Sequence, residues 1–447
     1  MMKKKKTPLN SQNLTKDVSQ RQLHTNYLVA KKVLKHFDLD PDLIDTFTKK
    51  QRQTLIKFAL AVPSIKAEKE NTIPRQFLSI FRAEINRFMK ENYWGDPENK
   101  LSYMELATSG LSFLFFIRIL VEQGTYDNTP QQETARLIYD SFFKDKDFLF
   151  IFEESFFEVY SYIQNLMRRY SQINFRQYGF KYTWASNETE SIRMKIRFTM
   201  DECQTKAFNH KGAYRTAFRL FYPPNGIFEP YNVTVPKHWI IPGIDEKYYF
   251  NIYVQSHVLH RFKERMDIFQ AADRNLLVHY TLTNRIRVIT NGKQKFLSCT
   301  IQTKQYDAHP LGYFSFFVQN NDLIVNTFLP LIHEKTPEGE KFHKIIPLSK
   351  EDIIYLGMDK ISFFFEIDLN RIPFLKQALI DSGIMKSIEV LRSLFDKFTD
   401  KNGEESDPID QQRTSFVKVF FDKIEEIKAI DAADFPTDAE VPCAENQ

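Results

Sequence analysis

The sequence contains little cysteine and little glycine. Its three cysteines, Cys203, Cys299 and Cys443, are widely separated and odd in number, which excludes a disulfide framework and a cysteine-rich zinc site. Free thiols of this kind are typical of a reducing compartment. The 13 glycines among 447 residues indicate few tight turns and many helices.

An uninterrupted hydrophobic run long enough for a membrane span is also missing. Residues 3–6 are all lysine, but polar residues follow them, so the apolar core of a secretory signal is absent. The most apolar stretch, residues 106–121, falls short of the roughly 20 residues that a spanning helix needs. Its interruptions are Thr108, Ser109, Ser112 and Arg118. We interpret this stretch as a buried helix and expect a cytoplasmic protein with no membrane partner.

Several motifs that carry catalysis are absent. The sequence has no Walker-type phosphate loop, no GxGxxG, no HExxH, no CxxC and no GxSxG. Nucleotide-binding, zinc-protease, redox and serine-hydrolase functions therefore lose their usual support. We expect no cofactor and no metal site.

Aromatic residues, by contrast, are abundant. The 42 Phe and 20 Tyr must form much of the core, because each ring buries about 150–250 Å². A chain of 447 residues should hold two or three domains, since single cores rarely grow beyond roughly 250–300 residues. The net charge of +4 is too small to indicate nucleic-acid binding unless the basic residues cluster on one face.

Hydrophobic periodicity predicts an α+β protein with an N-terminal helical bundle, a central antiparallel-sheet domain and C-terminal helices. The predicted parts are a disordered basic arm (1–18), the helical bundle (19–172), the α+β domain (173–345), a helical region (346–430) and an acidic disordered tail (431–447). The α+β domain holds eight of the ten histidines, so site chemistry is expected there. These are His210, His238, His257, His260, His279, His309, His333 and His343.

One constellation stands out, in residues 253–266 (YVQSHVLHRFKERM). A strand-like start leads into a helix with Ser256 as the expected N-cap. At 3.6 residues per turn, four side chains are expected to project from one face, and His260 is expected off that face. The four are His257, Arg261, Glu264 and Arg265. The apolar residues Val258, Phe262 and Met266 should then form the buried side.

This set of side chains is suited to binding or cleaving a phosphodiester. Histidine transfers protons near neutral pH, arginine binds phosphate through two donors, and glutamate can orient either of them. In RNA cleavage the ribose 2′-hydroxyl is the nucleophile, so the protein needs to supply only an acid, a base and charge stabilisation. The alternative is structural: Glu264 would balance Arg261 or Arg265 on a surface helix, and His257 would cap or pack.

The pattern H-x-x-x-R-x-x-E-R, followed by β-rich sequence that ends in residues 323–330 (LIVNTFLP), resembles the BrnT-like members of the RelE-type toxin superfamily. The resemblance covers about 80 of the 447 residues. It implies a helix that leans on a twisted antiparallel sheet, with strands at 284–290, 296–302, 312–319 and 323–329. It also implies cleavage of mRNA or a related activity. Because the module is embedded between helical regions, recruitment for binding or assembly is equally compatible with the fold.

Basic residues around the predicted strands form a second candidate site, for nucleic acid, near Tyr306 and His309. They are Arg285, Arg287, Lys293, Lys295 and Lys304. A mixture of cations and rings suits an RNA backbone and stacked bases. Alternating solvent-facing charges on a half-buried strand would give the same pattern.

These observations favour an RNA-binding protein of bacterial, phage or mobile-element type whose central domain is a metal-independent endoribonuclease. His257 would be acid or base, Arg261 and Arg265 phosphate ligands, and Glu264 the orienting group. The alternative is a non-catalytic structural or protein-binding module whose aromatic bundle docks a partner. A third hypothesis is a DNA-associated accessory factor that uses the lysines at positions 3–6.

Overall fold

The computed structural model describes residues 11–56, 62–69, 72–95, 97–122, 124, 129–143, 154–186, 192–210, 212–222, 231–232, 234–244, 248–283, 286–301, 308–399 and 410–434. Helices and mixed sheets both occur, so the α+β class is confirmed. The described chain forms two compact units. The N-terminal unit comprises Met1–Met167, Tyr178–Asp201 and Pro223–Tyr231, and the sheet unit comprises Arg168–Gln177, Glu202–Tyr222 and Asn232–Gln447. The units are not consecutive stretches of chain, and the domain ranges given above stay predictions.

Helices form most of the N-terminal unit. They are α1 (Ser11–His36), α2 (Lys49–Ile56), α3 (Arg75–Glu91), α4 (Tyr103–Glu105), α5 (Leu111–Glu122), α6 (Pro130–Phe143) and most of α7 (Phe157–Tyr170), with 3-10 turns at Pro41–Thr46 and Pro97–Asn99. Residues 11–18, expected in the disordered arm, are helical, and they contain no glycine or proline to stop a helix. The lysines at positions 3–6 lie outside the described residues.

The apolar stretch of the N-terminal unit is longer than the sequence argument allowed. A π-helical turn, Leu106–Gly110, joins α4 to α5, so the helical run Tyr103–Glu122 has 20 residues and a mean hydropathy of 1.7. Among the described residues it is the one helix long and apolar enough to cross a membrane, so the length argument was wrong. Half of its most apolar window is buried inside the protein.

A three-stranded sheet completes the N-terminal unit, in the order β1 (Ser64–Ala67), β3 (Ile192–Glu202), β2 (Arg176–Ser186). Strands β1 and β3 pair in parallel. Phe81 of α3 packs against the ring of Phe198 on β3, with 4.9 Å between centroids. Aromatic rings therefore join helix and sheet, as the composition predicted.

The sheet unit is built on one large sheet in the order β10-β11-β12-β13-β9-β5-β4, with β8 paired to β9. Its strands are β4 (Thr205–His210), β5 (Ala213–Arg219), β8 (Thr234–Pro236), β9 (Tyr249–Gln255), β10 (Val288–Asn291), β11 (Gln294–Ile301), β12 (His309–Gln319) and β13 (Asp322–Pro330). Two further short strands are β6 (Phe221–Tyr222) and β7 (Tyr231–Asn232), and a 3-10 turn covers Lys237–Trp239.

The sheet is mixed, so the expectation of a purely antiparallel sheet was wrong. Strands β10 to β13 form the antiparallel meander expected near 284–329. Strand β13, however, pairs in parallel with β9, with Asp322 opposite Asn251 and Val325 opposite Val254. The chain can return in the same direction because two helices follow β9, namely α8 (Ser256–Arg265) and α9 (Ala271–Thr283).

Helices cover both sides of this sheet. The residues Val254, Phe314 and Val325 alternate onto the side that packs against α8 and α9. Phe296 and Tyr313 belong to the opposite side, which packs against the C-terminal helices. Those helices are α10 (Pro337–Ile345), α11 (Lys350–Leu356), α12 (Phe363–Glu366), α13 (Pro373–Ser382), α14 (Ile384–Thr399) and α15 (Gln411–Asp434), with a 3-10 turn at Leu369–Arg371. Residues 431–434, expected in the acidic tail, belong to α15, and 435–447 lie outside the described residues.

The packing of α8 on the sheet can be tested at Phe262. Its ring is 2% exposed and contacts the rings of Phe314 and Phe328 at centroid distances of 5.6 and 4.9 Å. We expect Phe262→Ala to lower the free energy of unfolding by about 3–5 kcal/mol in a denaturant titration, because it leaves a cavity in the core. Lys263→Ala, at the exposed neighbour, should change it by less than about 0.5 kcal/mol. Equal effects would contradict this packing.

Candidate functional site

Helix α8 begins directly where strand β9 ends. Gln255 is still extended (φ −71°, ψ 148°) and is the N-cap, so the predicted cap at Ser256 was wrong by one residue. Because the last residue of the strand already has the backbone conformation of a cap, no connecting loop is needed. This direct junction fixes which way the helix faces.

The predicted apolar side of α8 is confirmed. Val258, Phe262 and Met266 are buried in the core shared with the sheet. Their spacing of four residues puts them on one stripe of the helix. The polar residues between them must therefore face away from the sheet or along its edge.

Three of the predicted site residues lie on the outer face of α8, together with a histidine that was expected elsewhere. His257 is exposed, and the Arg261 and Glu264 side chains are about two-fifths exposed. Glu264 accepts from Arg261 Nη1 at 3.0 Å and its other oxygen lies 2.9 Å from His260 Nε2. His260 thus belongs to this face, because it is three residues from His257 and four from Glu264. We call His257, His260, Arg261 and Glu264 the outer face.

Arg265 departs from the prediction that four side chains share one face. Eight residues advance a helix to about 80° from the starting direction, which is enough here to turn Arg265 inward. Its side chain is only 14% exposed. The Nη1 group donates to the carbonyl of Phe328, and Nε lies 3.8 Å from Asp359 Oδ2. Arg265 therefore binds the sheet and lies near Asp359 instead of joining the outer face, although its charge still acts on His257.

His257 lies in a cationic environment. Its pKa is lowered from the ordinary histidine value, first by partial shielding of the ring from solvent and then by the charge of Arg261. Arg215, His260 and Arg265 lower it further. At neutral pH the ring is thus neutral and able to accept a proton, with two exposed arginines beside it.

Arg215 was missed in the sequence because its role depends on strand pairing. It lies on β5, which pairs antiparallel with β9 so that Ala217 is opposite Gln255. The pairing ends there, and Arg215, two residues before Ala217 on β5, lies close enough to His257 on α8 for its charge to lower the pKa of that histidine. No local pattern in the sequence indicates this neighbour, since it is set by the register of two distant segments.

The second candidate site, the basic residues Arg285, Arg287, Lys293, Lys295 and Lys304, which we call the basic edge, does not join the outer face. Arg287 and Lys293 are exposed beside and within the β10–β11 hairpin, whereas Lys295 Nζ donates to the Ile240 carbonyl at 2.7 Å. Arg285, Lys304 and Tyr306 lie outside the described residues, and His309 is the first residue of β12. Helix α8 packs on β13, β9 and β5, and β10 is three strands from β13, or about 14 Å.

Another histidine of the sheet unit, His279, belongs to the core rather than to a surface site. His279 is completely buried, and burial lowers its pKa to about 3, so its ring is neutral core material. Within the described ranges, no group of three or more His, Cys, Asp or Glu side chains is arranged for a metal ion. At the outer face, by contrast, the cations Arg261 and Arg215 lie close to a neutral histidine, His257.

Comparison of the chain with protein-family models, with curated proteins and with solved structures finds no match.

The electrostatic effect of Arg261 on His257 can be measured by titrating the imidazole signals in NMR spectra. Arg261→Gln should raise the pKa of His257 toward the ordinary histidine value, because a neighbouring positive charge is removed. Lys263→Gln on the same helix is the matched control, since Lys263 is not among the groups that shift His257. An unchanged pKa in Arg261→Gln would disprove the proximity of the two side chains in solution.

Proposed function

We propose that the chain is an RNA-binding protein of bacterial, phage or mobile-element type, acting in the cytoplasm, whose outer face binds the RNA backbone and cleaves it without a metal ion. The observation that carries the proposal is the neutral His257 beside Arg261 and Arg215. A proton acceptor next to phosphate-binding cations is what transesterification of RNA requires. None of these groups is needed to hold the apolar core of α8.

The proposed reaction uses two histidines. Arg261 and Arg215 bind the scissile phosphate, and neutral His257 takes the proton from the ribose 2′-hydroxyl. The 2′-oxygen attacks phosphorus, the bond to the 5′-oxygen breaks, and a 2′,3′-cyclic phosphate forms. His260, which Glu264 holds at 2.9 Å, acts as the general acid and donates a proton to the departing 5′-oxygen. The phosphate-ligand role first assigned to Arg265 passes to Arg215.

The ion pair between Arg261 and Glu264 does not prevent phosphate binding. Both side chains are about two-fifths exposed, and pairs of this kind contribute only about 0–1 kcal/mol. Arg261 can therefore exchange the carboxylate for a phosphate at small cost, while Glu264 keeps its contact with His260. The same exchange frees the planar guanidinium for bidentate binding.

The BrnT-like and RelE-like resemblance is part of this proposal. The helix that carries H-x-x-x-R-x-x-E-R packs on a sheet that includes the four-stranded meander β10–β13. The parallel neighbour β9 departs from the implied antiparallel sheet. We infer that the resemblance concerns the helix and the meander.

A protein-binding function is the second candidate, and a specific surface favours it. Ile354 and Tyr355 of α11 and Phe416 and Val419 of α15 are all exposed, and the Tyr355 and Phe416 rings lie 5.8 Å apart. Contiguous exposed apolar side chains are typical of docking surfaces. This patch belongs to the sheet unit rather than to the N-terminal helices, where a docking surface was expected.

Catalysis is tested with labelled RNA in the presence of EDTA across mildly acidic to mildly basic pH. We expect wild-type protein to release fragments that end in a 2′,3′-cyclic phosphate, and His257→Ala to be slower by about 10²–10⁴-fold. Arg261→Ala should also lose activity, whereas Lys263→Ala on the same helix should keep it. Intact RNA after incubation with excess wild-type protein would refute the catalytic part of the proposal.

RNA binding is tested separately by measuring affinity for a single-stranded RNA at several salt concentrations. Arg261→Gln and Arg215→Gln should each reduce the slope of log affinity against log salt by about 0.7, because each removes one phosphate contact. Lys293→Gln in the β10–β11 hairpin should leave the slope unchanged. If the slope falls in Lys293→Gln but not in Arg261→Gln, the RNA is bound at the basic edge and not at the outer face.

A further inference from the structure

The inward-facing side chain of Arg265 lines a cavity. The proposed RNA reaction does not use this cavity. The cavity has a volume of about 110 Å³ and lies within the sheet unit, among the ends of α8 and β13 and the helices α10 and α11. At roughly 30 Å³ for each water, it has room for three or four waters or for one ligand of a few heavy atoms. Its apolar wall includes Pro330, Ile332, Leu348 and Ile353.

Arg265 brings an unused donor to this cavity. Its Nε is buried and has no hydrogen-bond partner within the described residues. The nearest carboxylate, Asp359, lies 3.8 Å away, which is too long for a hydrogen bond. A buried N–H of a charged group that lacks an acceptor lowers the stability of the fold. A ligand that offers an acceptor atom to Arg265 Nε would remove this penalty. The Nη1 bond to Phe328 holds the group in place.

His333 and Lys350 also line the cavity. The Nδ1 of His333 accepts from the backbone N–H of Lys335 at 3.2 Å, so the ring proton belongs on Nε2. Burial lowers the pKa of His333 to about 4, which keeps the ring neutral at physiological pH. The cavity therefore combines two cations, Arg265 and Lys350, with a neutral N–H donor.

Two carboxylates, Glu334 and Asp359, and the imidazole of His343 complete the polar lining. The carboxylates would repel an anion that carries no proton, but they can accept hydrogen bonds from the hydroxyl groups of one that does. A phosphate with protonated oxygens satisfies both requirements: its bare oxygens accept from Arg265 and Lys350, and its hydroxyls donate to the carboxylates. Sulfate offers the same shape without the hydroxyl groups.

We propose that this cavity is a binding site for a small protonated oxyanion, with inorganic phosphate as the defining ligand. The site is separate from the outer face, since the buried Arg265 guanidinium bonds the Phe328 carbonyl, whereas the Arg261 side chain is half-exposed and pairs with Glu264. It does not depend on the RNA-cleavage proposal. Its specificity for phosphate over sulfate comes from Glu334 and Asp359.

The test is isothermal titration calorimetry of the full chain with inorganic phosphate, in a buffer without other oxyanions. Wild-type protein should bind one phosphate, and Arg265→Gln should weaken binding by about ten- to hundredfold, because a charge-assisted hydrogen bond is lost. Lys350→Gln, at an exposed first residue of α11, should weaken it in the same direction without affecting the core. The folded state of each variant is checked by circular dichroism.

Lys263→Gln is the matched control, since it removes an exposed cation of the same helix that does not line the cavity. It should bind phosphate as tightly as wild type. Absence of phosphate binding to wild type, or unchanged binding in both Arg265→Gln and Lys350→Gln, would overturn the proposal. Loss of binding in Arg261→Gln alone would place phosphate on the outer face instead. Sulfate should bind at least about tenfold more weakly, and equal affinity would overturn the role of the carboxylates.

Discussion

The parallel pair of β9 and β13, with α8 packed across it, is the arrangement from which the other features of the sheet unit follow. Strand β9 passes into α8 without a loop, so the rotation of the helix is fixed by where Val258, Phe262 and Met266 enter the core. The same rotation determines which way each polar side chain between them points. The outer face, the inward Arg265 and the cavity below it are consequences of one packing constraint.

Electrostatics distinguishes two sides of α8. On the outer face the cations outnumber the single carboxylate of Glu264, and the ring of His257 is kept neutral among them. On the inward side Arg265 is buried, and burial lowers its pKa while Asp359 opposes that shift. The outer face is open to a long polyanion, whereas the inward side can admit only a small one. Residue types that look alike in the sequence thus acquire different partners.

Sequence periodicity was sufficient for the apolar stripe of α8 and for the meander β10–β13, because both depend on contacts between near neighbours in the chain. It failed for Arg265 and Arg215, whose positions depend on a helix rotation and on a strand register set by distant segments. It also failed for Asp359, which lies near Arg265 in space but far from it in the sequence. The length of the run Tyr103–Glu122 was underestimated because composition alone does not show where a helix ends.

The parallel pairing of Asn251 with Asp322 also affects how the protein is made. A ribosome synthesises β9 well before β13, so for that interval one edge of β9, with Ile252 and Val254, has no strand beside it. Unpaired apolar edges recruit other chains, and pairings between distant segments form slowly. A nascent chain that stalls between these strands therefore exposes an apolar strand edge that can pair with another chain.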